Sequence, residues 1–195
     1  MSRRKLGRSF WSPAIGKQGG VVTLISPKCS NEVISWKKDS NGRVVSLVTR
    51  VKGVDLNLVN IYAPTNRSER KSCYDSLHEF FIPSAAFIVG GDFNCHDNAL
   101  DKFGGNVSIH QEYEFFKRSF ALLGVWRKLH PIEREFTWFN SNLSFASRLD
   151  KFLISKNLFS LASKCQISPC PLSDHDFVSL VFEIPDSIKT GPGTL

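Results

Sequence analysis

The sequence predicts an α+β fold in which mixed β-sheets are covered by helices. Short apolar runs typical of strands alternate with segments of helical spacing, so both kinds of element contribute to the fold. Two strand-like runs, at residues 43–51 and 54–62, are separated only by Lys52 and Gly53. This spacing predicts a tight hairpin of neighbouring antiparallel strands. A hairpin within the sheet argues against a simple doubly wound parallel sheet.

The strands follow from local patterns. The run at residues 54–62 alternates apolar and polar side chains and stops before Pro64, which cannot continue a central strand. The remaining strands are predicted at residues 19–26, 87–89, 136–140, 147–155 and 177–184.

Two helices are predicted between these strands. Residues 66–81 carry apolar side chains at helical spacing, and Pro83 follows the end of that segment. A second helix is predicted to end at Gly124, a common residue just past a helix end. Ser108 and Gln111 form a capping-box pattern at the start of this second helix.

The length of 195 residues predicts a single domain. We expect that domain at residues 16–184, a basic N-terminal arm at residues 1–15, and a linker-like tail at residues 185–195. No apolar run is long enough to span a bilayer, so no membrane partner is expected. The five cysteines are odd in number and scattered, which favours reduced thiols in an intracellular protein.

Positive charge is concentrated near the N-terminus. The first 31 residues carry six basic side chains and no acidic one, whereas the rest of the chain is close to neutral. Such an arm favours an anionic partner with phosphate groups, and a solvated tail is the alternative. The run "RRK" also has the composition of a short nuclear localisation signal, so a nuclear location is a further expectation.

The stretch "FIVGGDFNCH" at residues 87–96 contains the first candidate functional group. An apolar run bounded by glycines is typical of a buried strand, and Asp92 stands where that strand ends. Burial of a carboxylate costs free energy unless the group is paired or binds a metal. A role for Asp92 as a simple turn residue is the alternative.

Three other strand-like runs carry polar groups at their ends. Tyr62 lies in "NIYAP", Asp150 in "SRLDKFLIS" and His175 in "LSDHD". Hydrolysis of a phosphodiester needs a carboxylate or histidine to accept a proton from water, and a cation or donors to stabilise the phosphate charge. Carboxylates without cysteine ligands favour Mg²⁺, with Mn²⁺ as the substitute. Each group alone fits a packing or capping role, but the ordered set favours a metal-dependent hydrolase.

The ordered motifs "NIYAP", "GGDFN", "EFTWF", "SRLDKFLIS" and "LSDH" resemble those of the endonuclease/exonuclease/phosphatase superfamily. Members include deoxyribonuclease I and the apurinic/apyrimidinic endonucleases. Within it, the motifs are most similar to the apurinic/apyrimidinic-like endonuclease domain of non-LTR (LINE-type) retrotransposons. The resemblance implies a deoxyribonuclease I-like four-layer α/β sandwich, with two packed mixed β-sheets flanked by helices.

The resemblance implies that five residues act at the reacting phosphate. Tyr62 would hydrogen-bond that phosphate. Asp92 would position the attacking water, with Asn94 beside it. Asp150 would orient His175, which would donate to the phosphate.

The resemblance also implies contacts around this centre. Asp174 would bind the metal or its water, while Thr137 and Ser173 lie where family members contact DNA. Arg148, at the strand end in "SRLDKFLIS", is a further candidate for substrate binding. The implied cofactor is Mg²⁺ or Mn²⁺, the implied partner is DNA, and no small-molecule cofactor is expected. A downstream reverse transcriptase in the parent element is a further implied partner.

Two family motifs at the start of the fold are absent from the sequence. Members open with a strand that carries an Asn, and a second strand ends in a Glu that binds the metal. The first acidic residue here is Glu32. We therefore expect an N-terminally truncated chain that lacks the first strands and is less stable or needs a partner segment.

Loss of that Glu predicts reduced or absent activity. The leading hypothesis is a metal-dependent DNA endonuclease. A nucleic-acid-binding remnant without catalysis and a phosphatase that acts on small phosphate esters are the alternatives.

Overall fold

The computed structural model describes residues 7–16, 18–29, 32–108 and 110–185. The first six residues of the predicted basic arm, and the predicted tail beyond residue 185, lie outside the described residues. No helix within the described ranges is long and apolar enough to cross a bilayer.

A six-stranded mixed sheet forms the centre of the molecule. Its strands, in spatial order, are β3 (Val33–Lys38), β4 (Val44–Val51), β5 (Val54–Tyr62), β6 (Ala86–Asp92), β11 (Asp150–Ser155) and β8 (Leu122–Gly124). β5 and β6 run parallel, whereas the other neighbouring pairs run antiparallel. A parallel pair needs a crossover connection, and helix α1 (Arg67–Ser76) lies in that connection.

Helices cover one face of this sheet, which we call the outer face. Helix α2 (Gln111–Ser119) packs beside α1. Tyr74 of α1 and Phe116 of α2 are buried and stack with 5.2 Å between their ring centroids. Val59 and Val89 of the sheet belong to the same buried cluster, so aromatic and aliphatic burial together fix the helices on the sheet.

The opposite, inner face is covered in part by β1 (Arg8–Ser12) and β2 (Val21–Ile25). These strands pair antiparallel with each other. Phe10 of β1 is buried in one cluster with Val45 and Leu47 of β4. This contact anchors the pair over one side of the six-stranded sheet.

A second pair, β12 (Ala162–Ser168) and β13 (Phe177–Phe182), covers the other side of the inner face. The short helix α3 (Val125–Leu129) packs between this pair and β11. An apolar groove of about 340 Å³ lies between β2 and the middle strands, with Leu58 and Phe152 in its lining. Among the described residues, β2 pairs only with β1 and β13 only with β12.

A small three-stranded sheet completes the fold. Its strands, in spatial order, are β7 (Lys102–Phe103), β10 (Ala146–Ser147) and β9 (Trp138–Phe139). A single β-bridge joins Trp138 to His175, so this small sheet supports the loop that leads into β13.

The predicted α+β class, with mixed sheets and flanking helices, is confirmed. β5 covers the predicted residues, and the hairpin turn consists of Lys52 and Gly53 with φ values of 49° and 81°. Positive φ at both positions matches the twist of a two-residue hairpin. Helix α1 begins after Asn66, whose side chain caps it, and continues into a single 3₁₀ turn at Leu77–Phe80.

The second helix is shorter than the sequence predicts. It ends at Ser119, Ala121 adopts a φ of 50°, and Leu122–Gly124 forms strand β8. β8 pairs with β11, so tertiary pairing overrides the helical spacing of this segment. His110, and not Ser108, occupies the N-cap position and makes no side-chain cap. The sequence prediction also missed β1, β3, β7 and β12.

Candidate active site

Strand register places three polar side chains in a row. Asp92 of β6 is the pairing partner of Tyr62 in β5 and of Asp150 in β11. Side chains of directly paired residues project from the same face of a sheet. Tyr62, Asp92 and Asp150 therefore stand side by side on the inner face, at one end of three neighbouring strands.

The two glycines before Asp92 let these strands approach closely. Gly91 has a φ of 134°, and a Cβ at this position would lie 2.0 Å from the carbonyl oxygen of Ile61. A Cβ on Gly90 would lie 2.6 Å from the ring of Phe152. Neither position accepts a side chain without displacement of β5 or β11, so the "GG" of the motif serves the backbone around the site.

Asn94 fixes the carboxylate of Asp92. It adopts a φ of 47°, which Asn tolerates better than most residues. Its backbone N–H donates to Oδ1 of Asp92 over 2.8 Å, and its side-chain amide donates to Oδ2 over 3.0 Å. The same amide donates to the carbonyl oxygen of Ala63 over 2.7 Å, which ties the loop back to the end of β5.

His175 completes the arrangement from a distant part of the sequence. Its Nδ1 lies 2.7 Å from Oδ2 of Asp150. Thr137 holds this pair in register, because its hydroxyl oxygen accepts from the backbone N–H groups of Leu149 and Asp150 over 2.9 and 3.0 Å. The carbonyl oxygen of Thr137 also accepts from the N–H of Asp176 over 2.7 Å.

The protonation of this site differs from that of free side chains. Burial, and then the negative charge of Asp150, raise the pKa of Asp92 to about 6. The hydrogen bond to Asp150 raises the pKa of His175 against the opposing effect of burial, and the charges of Asp150 and Asp92 contribute further. The negative charges of Asp92 and Asp150 are thus only partly neutralised by His175.

Asp92, Asp150 and His175 could hold a metal ion. One ligand atom from each lies within 4.8 Å of the others. The oxygen donors of the two carboxylates suit a hard divalent cation such as Mg²⁺ or Mn²⁺, whereas the imidazole is engaged with Asp150. A cation there would also relieve the repulsion that raises the pKa of Asp92, so the residues present fit such an ion. We call these three residues the inner cluster.

Two further predicted residues lie next to His175 but outside the inner cluster. Asp174 is exposed, and its Oδ2 accepts from the indole N–H of Trp138 over 3.1 Å. The hydroxyl oxygen of Ser173 accepts from the backbone N–H of His175 over 3.0 Å. Both residues are exposed and directly precede His175 in the chain.

The structure gives Thr137 and Arg148 a different place from the predicted one. Thr137 is fully buried and only 1% of Arg148 is exposed. Arg148 donates to Asp101 over 2.6 Å and lies 4.6 Å from the ring centroid of Trp126. The prediction that both contact DNA is therefore corrected, because neither side chain is accessible to a ligand. Thr137 instead binds the backbone beside Asp150, and Arg148 binds Asp101.

A second charged group, which sequence reasoning missed, surrounds Lys151, whose side chain lies on the outer face of β11. Its carboxylates are Asp97 and Asp101, and its cations are Lys117, Arg127, Arg148 and Lys151. We call these six residues the outer cluster. Lys151 follows Asp150 directly, so the alternation of the strand sends it to the opposite face. That alternation is a sequence signal that could have predicted its buried position.

Comparison with known proteins agrees with this geometry. The transposon TX1 uncharacterized 149 kDa protein of Xenopus laevis is 35% identical over an alignment 192 residues long, which covers 93% of this chain and 14% of that protein. The chain thus spans about one seventh of the length of this relative.

Two solved structures share the fold. The AP endonuclease LMAP of Leishmania major superposes with a TM-score of 0.75 at 16% identity, over 93% of this chain and 72% of that chain. A DNA-bound 3′ phosphatase NExo variant of Neisseria gives a TM-score of 0.72 at 18% identity, over 91% of this chain and 79% of that chain. At such identities, the likeness shows the fold alone.

The sequence also matches the profile of the Endonuclease/Exonuclease/phosphatase family over residues 5–175. The matched residues include Tyr62, Asp92 and Asp150, and the match extends to His175. The family predicted from the motifs is confirmed, and the transposon relative agrees with the predicted mobile-element resemblance. This chain belongs to the endonuclease/exonuclease/phosphatase family.

Proposed function

We propose that this domain is a metal-dependent phosphodiester hydrolase that cleaves DNA. The observation that carries the proposal is the inner cluster, in which two carboxylates and one imidazole meet at the end of three strands. The transposon relative, the AP endonuclease and the DNA-bound neighbour support DNA as the substrate.

The carboxylates of Asp92 and Asp150 would hold the cation, and Asp174 would bind it directly or through water. Mg²⁺ is the proposed ion, because oxygen donors dominate the site, and Mn²⁺ can replace it. A bound cation would neutralise charge on the phosphate.

The side chains divide the remaining tasks. Asp92 would accept a proton from the attacking water, a role that a carboxylate beside the reacting phosphate can fill. Asn94 would keep that carboxylate in place. His175, oriented by Asp150, would donate to a phosphate oxygen, and its raised pKa favours the protonated form that can donate. Tyr62 would donate its hydroxyl to the same phosphate.

The parent setting follows from the transposon relative. We infer that the domain works as part of a longer element-encoded protein that includes a reverse transcriptase and acts on nuclear DNA. Under this inference, a fusion of the domain to a fluorescent protein enters the nucleus only when the basic segment at residues 1–8 is retained. Equal nuclear entry after its removal would contradict that part of the proposal.

A nicking assay on supercoiled plasmid tests the proposed reaction. Wild-type protein with Mg²⁺ is expected to convert supercoiled to open-circular DNA, and His175→Ala is expected to abolish the conversion. His78→Ala is the matched control, because His78 is exposed and its ring bonds only a backbone carbonyl. EDTA should stop the wild-type reaction.

Two other outcomes correspond to the alternative functions. DNA binding that weakens with salt, without nicking by folded protein, would identify a nucleic-acid-binding remnant without catalysis. The 3′ phosphatase among the structural neighbours favours a second assay, release of phosphate from 3′-phosphorylated DNA. Phosphate release without nicking would assign the phosphatase function.

A further inference from the structure

The row of paired side chains extends one strand beyond Tyr62. Val44 of β4 pairs with Ile61 of β5, and the N–H of Tyr62 donates to the carbonyl oxygen of Arg43 over 2.9 Å. Arg43 is therefore the next member of the row, on the same face as Tyr62. Its guanidinium carbon lies 5.0 Å from the centroid of the Tyr62 ring. This is a cation–π contact within the usual distance.

The backbone of Arg43 is held firmly, whereas its charge has no acidic partner. The carboxylate of Asp39 accepts from the backbone N–H groups of Arg43 and Val44 over about 3.0 Å. The half-buried guanidinium donates only to the side-chain oxygen of Gln18, over 3.2 Å. Within the described ranges, no carboxylate lies within ion-pair distance of this guanidinium.

Three arginines elsewhere in the described residues, by contrast, are paired with carboxylates. Arg50 pairs with Asp55, Arg70 pairs with Glu112, and Arg148 pairs with Asp101. Arg43 thus presents a fixed cation with unused N–H donors at the edge of the row. Such a planar fork matches two oxygens of a phosphate group.

We propose that Arg43 binds a backbone phosphate that adjoins the one at Asp92, and thereby positions a polynucleotide for cleavage. This inference rests on the proposed function. Neighbouring strands lie about 4.8 Å apart, so the backbone of Arg43 is about 10 Å from that of Asp92. The long side chain of Arg43 extends over the ring of Tyr62. A polynucleotide that places one phosphate at Asp92 would therefore bring the adjoining phosphate to Arg43.

This position makes Arg43 a specificity residue for polymers over single phosphate esters. A substrate with one phosphate diester and no adjoining phosphate cannot reach both Asp92 and Arg43. The contribution of Arg43 should therefore appear with DNA and be absent with bis(p-nitrophenyl) phosphate.

The test compares wild type, Arg43→Met and Arg43→Lys, with Arg118→Met as the control because Arg118 is exposed on α2. Arg43→Met is expected to raise KM for a duplex oligonucleotide about tenfold, with kcat within about twofold, since one charge-assisted contact is lost. It should also reduce the salt slope of DNA binding by about one. Arg43→Lys keeps the charge but loses the fork, so its KM should lie between the two.

Hydrolysis of bis(p-nitrophenyl) phosphate should be equal in all four proteins. Unchanged KM and salt slope in Arg43→Met would overturn the inference, and so would an equal loss on both substrates. If wild type binds DNA but does not cleave it, the proposed hydrolysis fails. The proposed phosphate contact of Arg43 is then tested by the dissociation constants and salt slopes of DNA binding alone. Absence of any DNA binding would overturn both.

Discussion

The inner cluster lies on the inner face of β6 and β11, whereas Lys151 of the outer cluster lies on the opposite face of β11, and the two clusters are neutralised to different degrees. In the inner cluster, Asp92 and Asp150 share one histidine. In the outer cluster, two carboxylates share two lysines and two arginines. Asp150 and Lys151 are adjacent in sequence, yet one belongs to each cluster.

In line with this difference, the pKa of Asp92 is raised and the pKa of Asp97 is lowered. Burial raises the pKa of Asp92 to about 6, and the charge of Asp150 adds to that effect. Burial also acts to raise the pKa of Asp97, but the charges of Lys151 and Lys117 outweigh it, and the pKa falls below its usual range. The outer cluster thus has the charge balance of a structural ion-pair network, whereas the inner cluster keeps unneutralised charge, as the proposed metal site requires.

The largest expected effect is a loss of nicking activity when the inner cluster is changed. Asp92→Asn should lower the nicking rate at least a hundredfold, because the group that accepts the proton and holds the cation is lost. Circular dichroism should show a native fold in this variant. A folded Asp92→Asn variant that nicks at the wild-type rate would assign the inner cluster no part in the reaction.

Removal of charge from the outer cluster should act on stability instead. Lys151→Met leaves Asp97 with fewer buried cations and removes a hydrogen bond to the carbonyl oxygen of Cys95, so a loss of about 3 kcal/mol is expected. Urea denaturation measures this loss. Lys164→Met is the control, because Lys164 is exposed on β12. Equal stability of the two variants would refute a structural role for the outer cluster.

The pH dependence of stability should have opposite signs in the two clusters. The pKa of Asp92 in the folded state, about 6, lies above that of an unfolded chain, about 3.9. The folded state therefore binds this proton more tightly, and stability falls as pH rises through this range.

Asp92→Asn should then stabilise the metal-free protein at pH 7 by about 3 kcal/mol, with no difference below about pH 4. For Asp97 the lowered pKa reverses the sign: its stabilisation is present above about pH 4 and is lost in acid. Urea titrations in EDTA at several pH values measure both. A destabilised Asp92→Asn at pH 7 would contradict the account.

The smallest expected effect concerns the support of the inner cluster. Thr137→Val keeps the shape of the side chain but removes the acceptor for the N–H groups of Leu149 and Asp150. A loss of about 1–2 kcal/mol in unfolding free energy is expected, together with a weaker reaction. Thr65→Val is a control, because Thr65 is exposed before α1. A Thr137→Val variant as stable as this control would show that the hydroxyl does not brace Asp150.

Residues at strand ends were predictable from sequence because their position depends on local pattern. An apolar run ending in Asp92, and an alternating strand ending in Tyr62, each place a polar group at a sheet edge. Their proximity then follows from the register of β5, β6 and β11. The resemblance to family motifs was needed to predict His175 as a site residue, because no local sequence pattern connects it to Asp150.

The direction of loop side chains was not predictable in the same way. Arg148 lies two residues before Asp150, yet it is buried because Asp101 and Trp126 from distant segments surround it. Thr137 is buried because it joins two chain segments by hydrogen bonds. Arg43 precedes the regular part of β4, and only the pairing with Tyr62 shows that it extends the row.

The most direct test of the central claim is the thermal stability of wild type and Asp92→Asn, each in EDTA and in millimolar MgCl₂ at pH 7. The account predicts that Asp92→Asn has the higher Tm in EDTA, and that Mg²⁺ raises the Tm of wild type but not that of the variant. An equal rise in both proteins, or a lower Tm for Asp92→Asn in EDTA, would show that the inner cluster does not hold its charge for a cation.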